Sequence, residues 1–230
     1  MNRALTSDTL LIDTIPRRRT LKDEAVDRIR GAIIRRELNP GERITELGLA
    51  RRLGVGQPTI REALIELEHQ GFVERSSPRM TRVTSLTQRD VDEIYMVRVR
   101  LEALALELVL AQPGVSLDNI EFQCRKMMQM AKMTRIAEFL QADLDFHAAL
   151  WLAAGNRALR EILERLVPKL FALGMIRHSK ATRSTMRRIA AEHALLLEAI
   201  REHKVEKAMD LLSRSLAQGQ ADDMELTRES

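Results

Sequence analysis

Leu49-Ala50-Arg51-Arg52-Leu53-Gly54-Val55-Gly56-Gln57-Pro58-Thr59-Ile60-Arg61-Glu62-Ala63-Leu64 decides the reading of this 230-residue chain. A short apolar helix runs into Gly54-Val55-Gly56, a tight break that glycine-rich backbone makes cheaply. A second helix then opens at Pro58, where the missing N–H costs no intrahelical bond. This layout predicts a helix-turn-helix, whose second helix enters the DNA major groove and offers its N-terminal side chains to base edges. Those side chains are Gln57, Thr59 and Arg61, and the basic Arg52 and Arg79 complete the candidate DNA-contacting set.

Ile60, Ala63, Leu64 and Leu67 share one face of the second helix, and Gly71 stops it. Phe72-Val73-Glu74-Arg75, a turn at Ser76-Ser77-Pro78, and Met80-Thr81-Arg82-Val83-Thr84 follow as a hairpin, the wing of a winged helix. Upstream, Val26, Ile29, Ile33 and Ile34 lie at helical spacing between Leu21 and Arg36, before a break at Asn39-Pro40-Gly41.

Charge agrees with this division. Residues 1–85 carry 16 Lys/Arg against 12 Asp/Glu, and residues 86–230 carry 21 of each. The whole excess of +4 therefore sits with the helix-turn-helix, as binding to phosphate requires. No long apolar span, lipidation signal or secretory signal is legible, and Leu10-Leu11-Ile12 is too short to serve as one. The single Cys124 makes no internal disulfide, which suits a reducing cytoplasm. Residues 1–19 read as a flexible basic lead ending in Arg17-Arg18-Arg19.

From Thr87 onward helices are expected throughout. Thr87-Gln88-Arg89-Asp90 resembles a capping box, and Val91, Ile94, Val97, Leu101, Leu104 and Leu108 follow at helical spacing until Pro113-Gly114. Further patterns cover about 117–133, 135–153, 157–177, 183–203 and 205–218. The fold class expected is therefore mainly α: a winged helix-turn-helix over 20–85, then an antiparallel bundle of about six helices over 86–225. Within the bundle, Asp143 and His147 stand four residues apart on one helix face, a spacing that suits one metal or an ordinary hydrogen-bonded pair. His193 points toward the core beside Leu196, Leu197 and Ile200.

The order of Asn39-Pro40-Gly41, Arg43-Ile44-Thr45, the glycine turn, Pro58-Thr59-Ile60-Arg61-Glu62-Ala63-Leu64 and the hairpin resembles the N-terminal domain of the GntR superfamily of bacterial transcription regulators. Tyr95-x-x-Arg98-x-x-Leu101-Glu102, Asp143-x-x-Phe146-His147, Gly155-Asn156-x-x-Leu159 and Glu192-His193 are similar to the FCD effector domain of its FadR-type members. The resemblance implies a homodimer on a short palindromic double-stranded DNA operator, with binding modulated by a small carboxylate. In many such domains an Asp and a His of one helix join two later His residues around a divalent metal that helps hold the effector. Carried over residue by residue, Asp143, His147 and His193 match three ligands, and Arg98 joins them as an effector contact. The fourth position holds Ser215. A serine hydroxyl is a poor ligand for zinc or nickel beside imidazole, whereas three protein ligands with an open position are common. The sequence is compatible with retention and with loss of the metal. His178, in a polar connection, is a poor substitute for the missing ligand. Two further departures touch DNA: Pro78 replaces the usual glycine at the wing tip, and Gln57 stands where many relatives carry arginine. Gln pairs best with adenine and Arg with guanine, so the operator should differ accordingly.

Two other classes compete. A DNA-binding dimer whose helical domain is purely structural would need no effector. A metal-dependent hydrolase would need a general base facing the metal, and Glu192 adjoins His193 at about 100° around the helix, which turns it away.

Overall fold

The computed structural model describes residues 19–77, 80–177 and 182–228. The expected lead up to residue 18, Pro78, Arg79 and His178 lie outside the described residues. Helix α1 (Leu21–Ile34) starts on a complete capping box between Thr20 and Asp23, and buries Ala25, Val26, Ile29 and Ile33. Strand β1 (Arg43–Ile44) leads to α2 (Glu46–Leu53), which ends on Gly54 in the left-handed region at φ +68°. Helix α3 (Gln57–His69) carries Pro58 in its first turn and buries Ile60, Ala63, Leu64 and Leu67, the face read from the sequence. Strands β2 (Val73–Ser77) and β3 (Met80–Val83) form the hairpin in antiparallel register, Val73 opposite Val83 and Arg75 opposite Thr81. β1 adds to the other edge of β3, giving the order β1-β3-β2. One core unites these elements, with Ile29, Ile33, Leu64, Leu67, Phe72 and Val73 almost fully buried.

The remaining described chain is helical: α4 (Gln88–Leu110), α5 (Asp118–Met133), α6 (Ile136–Ala153), α7 (Arg157–Leu166), α8 (Pro168–Ile176), α9 (Arg183–Arg201) and α10 (Val205–Arg228). The capping box at Thr87 is complete, with Thr87 Oγ1 accepting from the Asp90 amide at 3.2 Å and Asp90 accepting from the Thr87 amide at 2.8 Å. The expected helix over 157–177 is two helices, so seven rather than six follow the wing among the described residues. Pro168 has no N–H to continue the ladder but fits the first turn of a new helix. The last helix also runs past 218, to Arg228. α4 packs on α10, α6 and α7, while α5 lies on α6 and α9. No helix of the described residues is long and apolar enough to cross a membrane.

Helix α8 joins the two halves. Every residue in it except Lys169 is buried. Ala172, Met175 and Ile176 belong to the winged-helix core. Leu170 and Leu173 pack with Leu86, Val91, Ile94 and Tyr95, the connection into α4 and its first turns. Lys169 Nζ reaches Glu74 of the wing at 2.9 Å. At Gly71 the wing and α8 meet backbone to backbone.

Candidate metal and effector site and the DNA-facing helix

Asp143 and His147 project from α6 one turn apart, and α9 supplies His193 against them. Asp143 Oδ1 lies 3.1 Å from His193 Nε2 and 3.6 Å from His147 Nε2, and the two Nε2 atoms are 3.4 Å apart. Both imidazoles are anchored through their other nitrogen: His147 Nδ1 to Glu102 Oε2 at 2.6 Å, His193 Nδ1 to the Ile189 carbonyl at 2.9 Å. A backbone carbonyl only accepts, and so does an ionised carboxylate, so each Nδ1 carries the proton and donates it. In the neutral rings each Nε2 then bears a lone pair. Three acceptors converge with no donor between them, and Asp143 Oδ1 is buried without a hydrogen-bond partner. Such a cluster needs a positive charge at its centre, either a proton or a cation. Burial opposes charge on His193, but the Asp143 carboxylate outweighs it and raises the imidazole pKa, so the site itself draws positive charge.

The donor set also fits a divalent metal. A tetrahedral ion with bonds of about 2.0–2.1 Å spaces its ligand atoms about 3.3 Å apart. The three separations of 3.1, 3.4 and 3.6 Å fall around that value. Hydrogen-bonded Nδ1 atoms with a carboxylate behind one of them are the arrangement that fixes imidazole ligands toward a metal.

Glu102 ties this cluster to a buried chain of polar groups. Its Oε1 accepts from Arg98 Nε at 2.6 Å, Arg98 Nη1 lies 3.2 Å from Tyr95 Oη, and the Tyr95 hydroxyl donates to Asp223 of α10 at 2.8 Å. Burial would raise the Glu102 carboxyl, yet His147 and Arg98 hold it at about 2. Asp223 moves the other way, pushed up to about 7 by burial, against the stabilising Tyr95 hydroxyl. The Arg98 guanidinium also sits 5.5 Å from the Phe171 ring of α8, whose centroid is 6.4 Å from that of His147. Above these groups opens a cavity of about 280 Å³, lined by Arg98, Asp143, His147 and His193 together with Phe171, Ser215 and the end of α10. All four expected effector residues thus share one cavity, and Ser215 faces it too. Two sequence expectations need revision. Glu192 does reach the cavity lining, because the opening is wider than the single helix face assumed. Its carboxylate is engaged by Arg188 at 2.8 Å. The second concerns Glu102 and Tyr95, which the sequence offers only as letters of the FCD-like motif, and Asp223, which it does not single out. The i,i+4 spacing of Arg98 and Glu102 among apolar neighbours is the available signal for the first pair.

In the winged helix, Arg52, Gln57 and Arg61 are exposed and Thr59 is half-buried at the start of α3. Arg61 does not float free: its Nε and Nη2 meet Glu46 of α2 at 3.2 and 3.0 Å. Arg79 lies outside the described residues.

An N-terminal winged helix whose recognition helix exposes Gln57 and Arg61, joined to a helical domain that holds a cavity, is the arrangement of a DNA-binding transcription regulator. The sequence matches the bacterial regulatory protein gntR family over residues 21–83 and the FCD domain over residues 93–218, and the chain belongs to the GntR family of bacterial regulators. It is 32% identical over 171 residues to the uncharacterized HTH-type transcriptional regulator YdhC of Bacillus subtilis, covering 74% of this chain and 75% of that protein. It is 26% identical to the gluconate operon transcriptional repressor of Bacillus licheniformis, over 87% of this chain and 85% of that one. The solved structure of McbR/YncC from Escherichia coli superposes with a TM-score of 0.69 at 20% identity, over 92% of this chain and 99% of that one, which shows a shared fold.

Proposed function

We propose that a small organic acid, bound in the bundle cavity through a divalent metal on Asp143, His147 and His193, controls how a homodimer of this regulator holds a palindromic operator. The observation that carries this reading is the donorless convergence of Asp143 Oδ1 with two Nε2 lone pairs inside a ligand-sized cavity. When bound, zinc or nickel supplies a Lewis-acid position for a carboxylate oxygen. Around it, Glu102 orients His147, the Ile189 carbonyl orients His193, and Arg98 offers its remaining N–H groups to the cavity. Ser215 favours a three-ligand site with open positions for the effector.

The relay to DNA runs through α8. Phe171 faces the cavity, while Ala172, Met175 and Ile176 of the same helix are part of the winged-helix core. Packed interiors pass on small displacements rather than absorb them. A shift of Phe171 on ligand binding therefore moves the seat of the DNA-binding domain, and Leu170 and Leu173 carry it to the connection at Leu86. The homodimer reading rests on reach, since one winged helix reads only a few base pairs and two-fold symmetry supplies the rest.

The metal reading is tested by purified protein, chelated and then titrated with zinc or nickel by calorimetry. Wild type is expected to bind one ion per chain. Ser215→His should bind more tightly, because imidazole replaces a poor hydroxyl ligand. Negligible metal in both proteins rules out the metal half of this reading. For the DNA side, Arg61→Ala should weaken operator binding by about 5- to 150-fold in band-shift titrations at fixed salt, the loss of a base contact of about 1–3 kcal/mol. Unchanged affinity would mean that Arg61 serves only to clamp α3 to Glu46 of α2.

A further inference from the structure

The cavity is electrically lopsided. Among the described residues, five carboxylates line it, those of Asp143, Glu192, Asp222, Asp223 and Glu225, against the single guanidinium of Arg98. Arg98 is spent on Glu102, and Glu192 is spent on Arg188. Asp143 faces the two histidines. The remaining three carboxylates lie within four residues of one another on α10. Among the described residues no lysine or arginine forms an ion pair with any of them; Asp222 accepts an amide from Gln218 and Asp223 the Tyr95 hydroxyl. Burial pushes Asp223 up to about 7, although the Tyr95 hydroxyl and the Arg98 charge both oppose that rise.

Beyond the acidic rim, the cavity also holds the buried, unpartnered Asp143 oxygen at its histidine end. A divalent ion there leaves that end net positive, while the α10 end stays net negative. A plain dicarboxylate would bring its second anion to the wrong end, where like charges close together repel at the low effective dielectric of a protein cleft. We propose that the effector is a carboxylic acid that also bears a cationic amine, its carboxylate held at the histidine end and its ammonium by Asp222, Asp223 and Glu225. This inference rests on the proposed metal-assisted acid site and narrows its ligand class from organic acids at large to amino acids in the broad sense. The protein thereby reads charge distribution as well as the acid group.

Three acids of one chain length separate the possibilities: 5-aminovalerate, valerate and glutarate, titrated by calorimetry into full-length zinc-loaded protein. The expected result is binding of 5-aminovalerate at least about tenfold tighter than either of the others. Asp222 and Glu225 are exposed, so the Asp222→Asn/Glu225→Gln double variant should fold normally. It should lose most of the preference and bind valerate as wild type does. If valerate or glutarate binds in a zinc-dependent way as tightly as 5-aminovalerate, the acid site stands and the amine inference is overturned. A preference that survives in the double variant overturns it as well. Binding of none of the three, with no zinc retained, removes the underlying acid-site reading itself.

Discussion

Glu102→Ala should cost this protein about 3–5 kcal/mol of stability, the range for removing one partner of a fully buried ion pair. The side chains of Glu102 and Arg98 are 0% and 4% exposed, and the carboxylate serves two donors at once. Alanine leaves a guanidinium in the core without its anion and the His147 Nδ1 proton without its acceptor. Urea denaturation of metal-free protein measures the loss. A cost under about 1 kcal/mol would mean that Asp223 turns to take over the Arg98 charge. Glu102→Gln keeps the shape and should be milder in stability, but metal affinity should fall about tenfold or more, because the carboxylate behind a ligating imidazole raises its basicity. The pH dependence follows in sign. The Glu102 carboxyl, ordinarily at 4.5, is held at about 2 in the folded protein. Its stabilising contribution is therefore complete above about pH 5 and drains away as pH falls toward 2. Wild type should lose stability across that interval more steeply than Glu102→Ala does.

How much of the fold is legible in the sequence follows from how local each signal is. Gly54, at φ +68°, and Pro58, in the first turn of α3, dictate backbone conformations by themselves, whereas Gly56 is extended, so two residue types alone mark the helix-turn-helix. Asp143 and His147 are joined by helical geometry alone, and their shared face needs no tertiary knowledge. Glu102 and His147 are 45 residues apart, and Tyr95 and Asp223 are 128 apart. No periodicity encodes such pairings, and only the packing of α4 against α6 and α10 makes them. The error at Glu192 has a geometric cause: turning about 100° from His193 removes a residue from a narrow contact but not from the rim of a wide cavity. The break between α7 and α8 is encoded by Pro168, yet the apolar run on either side continues the helical pattern and masks it. That same run explains why periodicity does not orient α8. A helix buried on every side has no amphipathic face to announce which neighbour it serves.

That junction sets up the other large effect. Gly71→Ala should destabilise the protein by about 3 kcal/mol or more, far beyond the usual cost of a methyl group. Gly71 sits at φ +78°, where a β-carbon alone costs about 1–2 kcal/mol. An added β-carbon would also fall 2.5 Å from the carbonyl carbon of Pro168 and from the amide nitrogen of Lys169. Those are backbone atoms of α8 and cannot rotate away as a side chain would. Gly54→Ala is the matched control, with φ +68° but nothing within 4 Å of the new atom. It should therefore show the conformational cost alone, about 1–2 kcal/mol. The difference between the two variants in thermal or urea unfolding measures the contact between wing and α8. Equal costs would show that α8 retreats without penalty. Hydrogen exchange locates the damage: in Gly71→Ala the α8 amides should lose protection before those of α6. The sign of that local loss matters for regulation, because α8 is the helix on which Phe171 meets the cavity and Met175 meets the DNA-binding core. Glycine at position 71 is what lets the wing rest directly on the helix that lines the cavity.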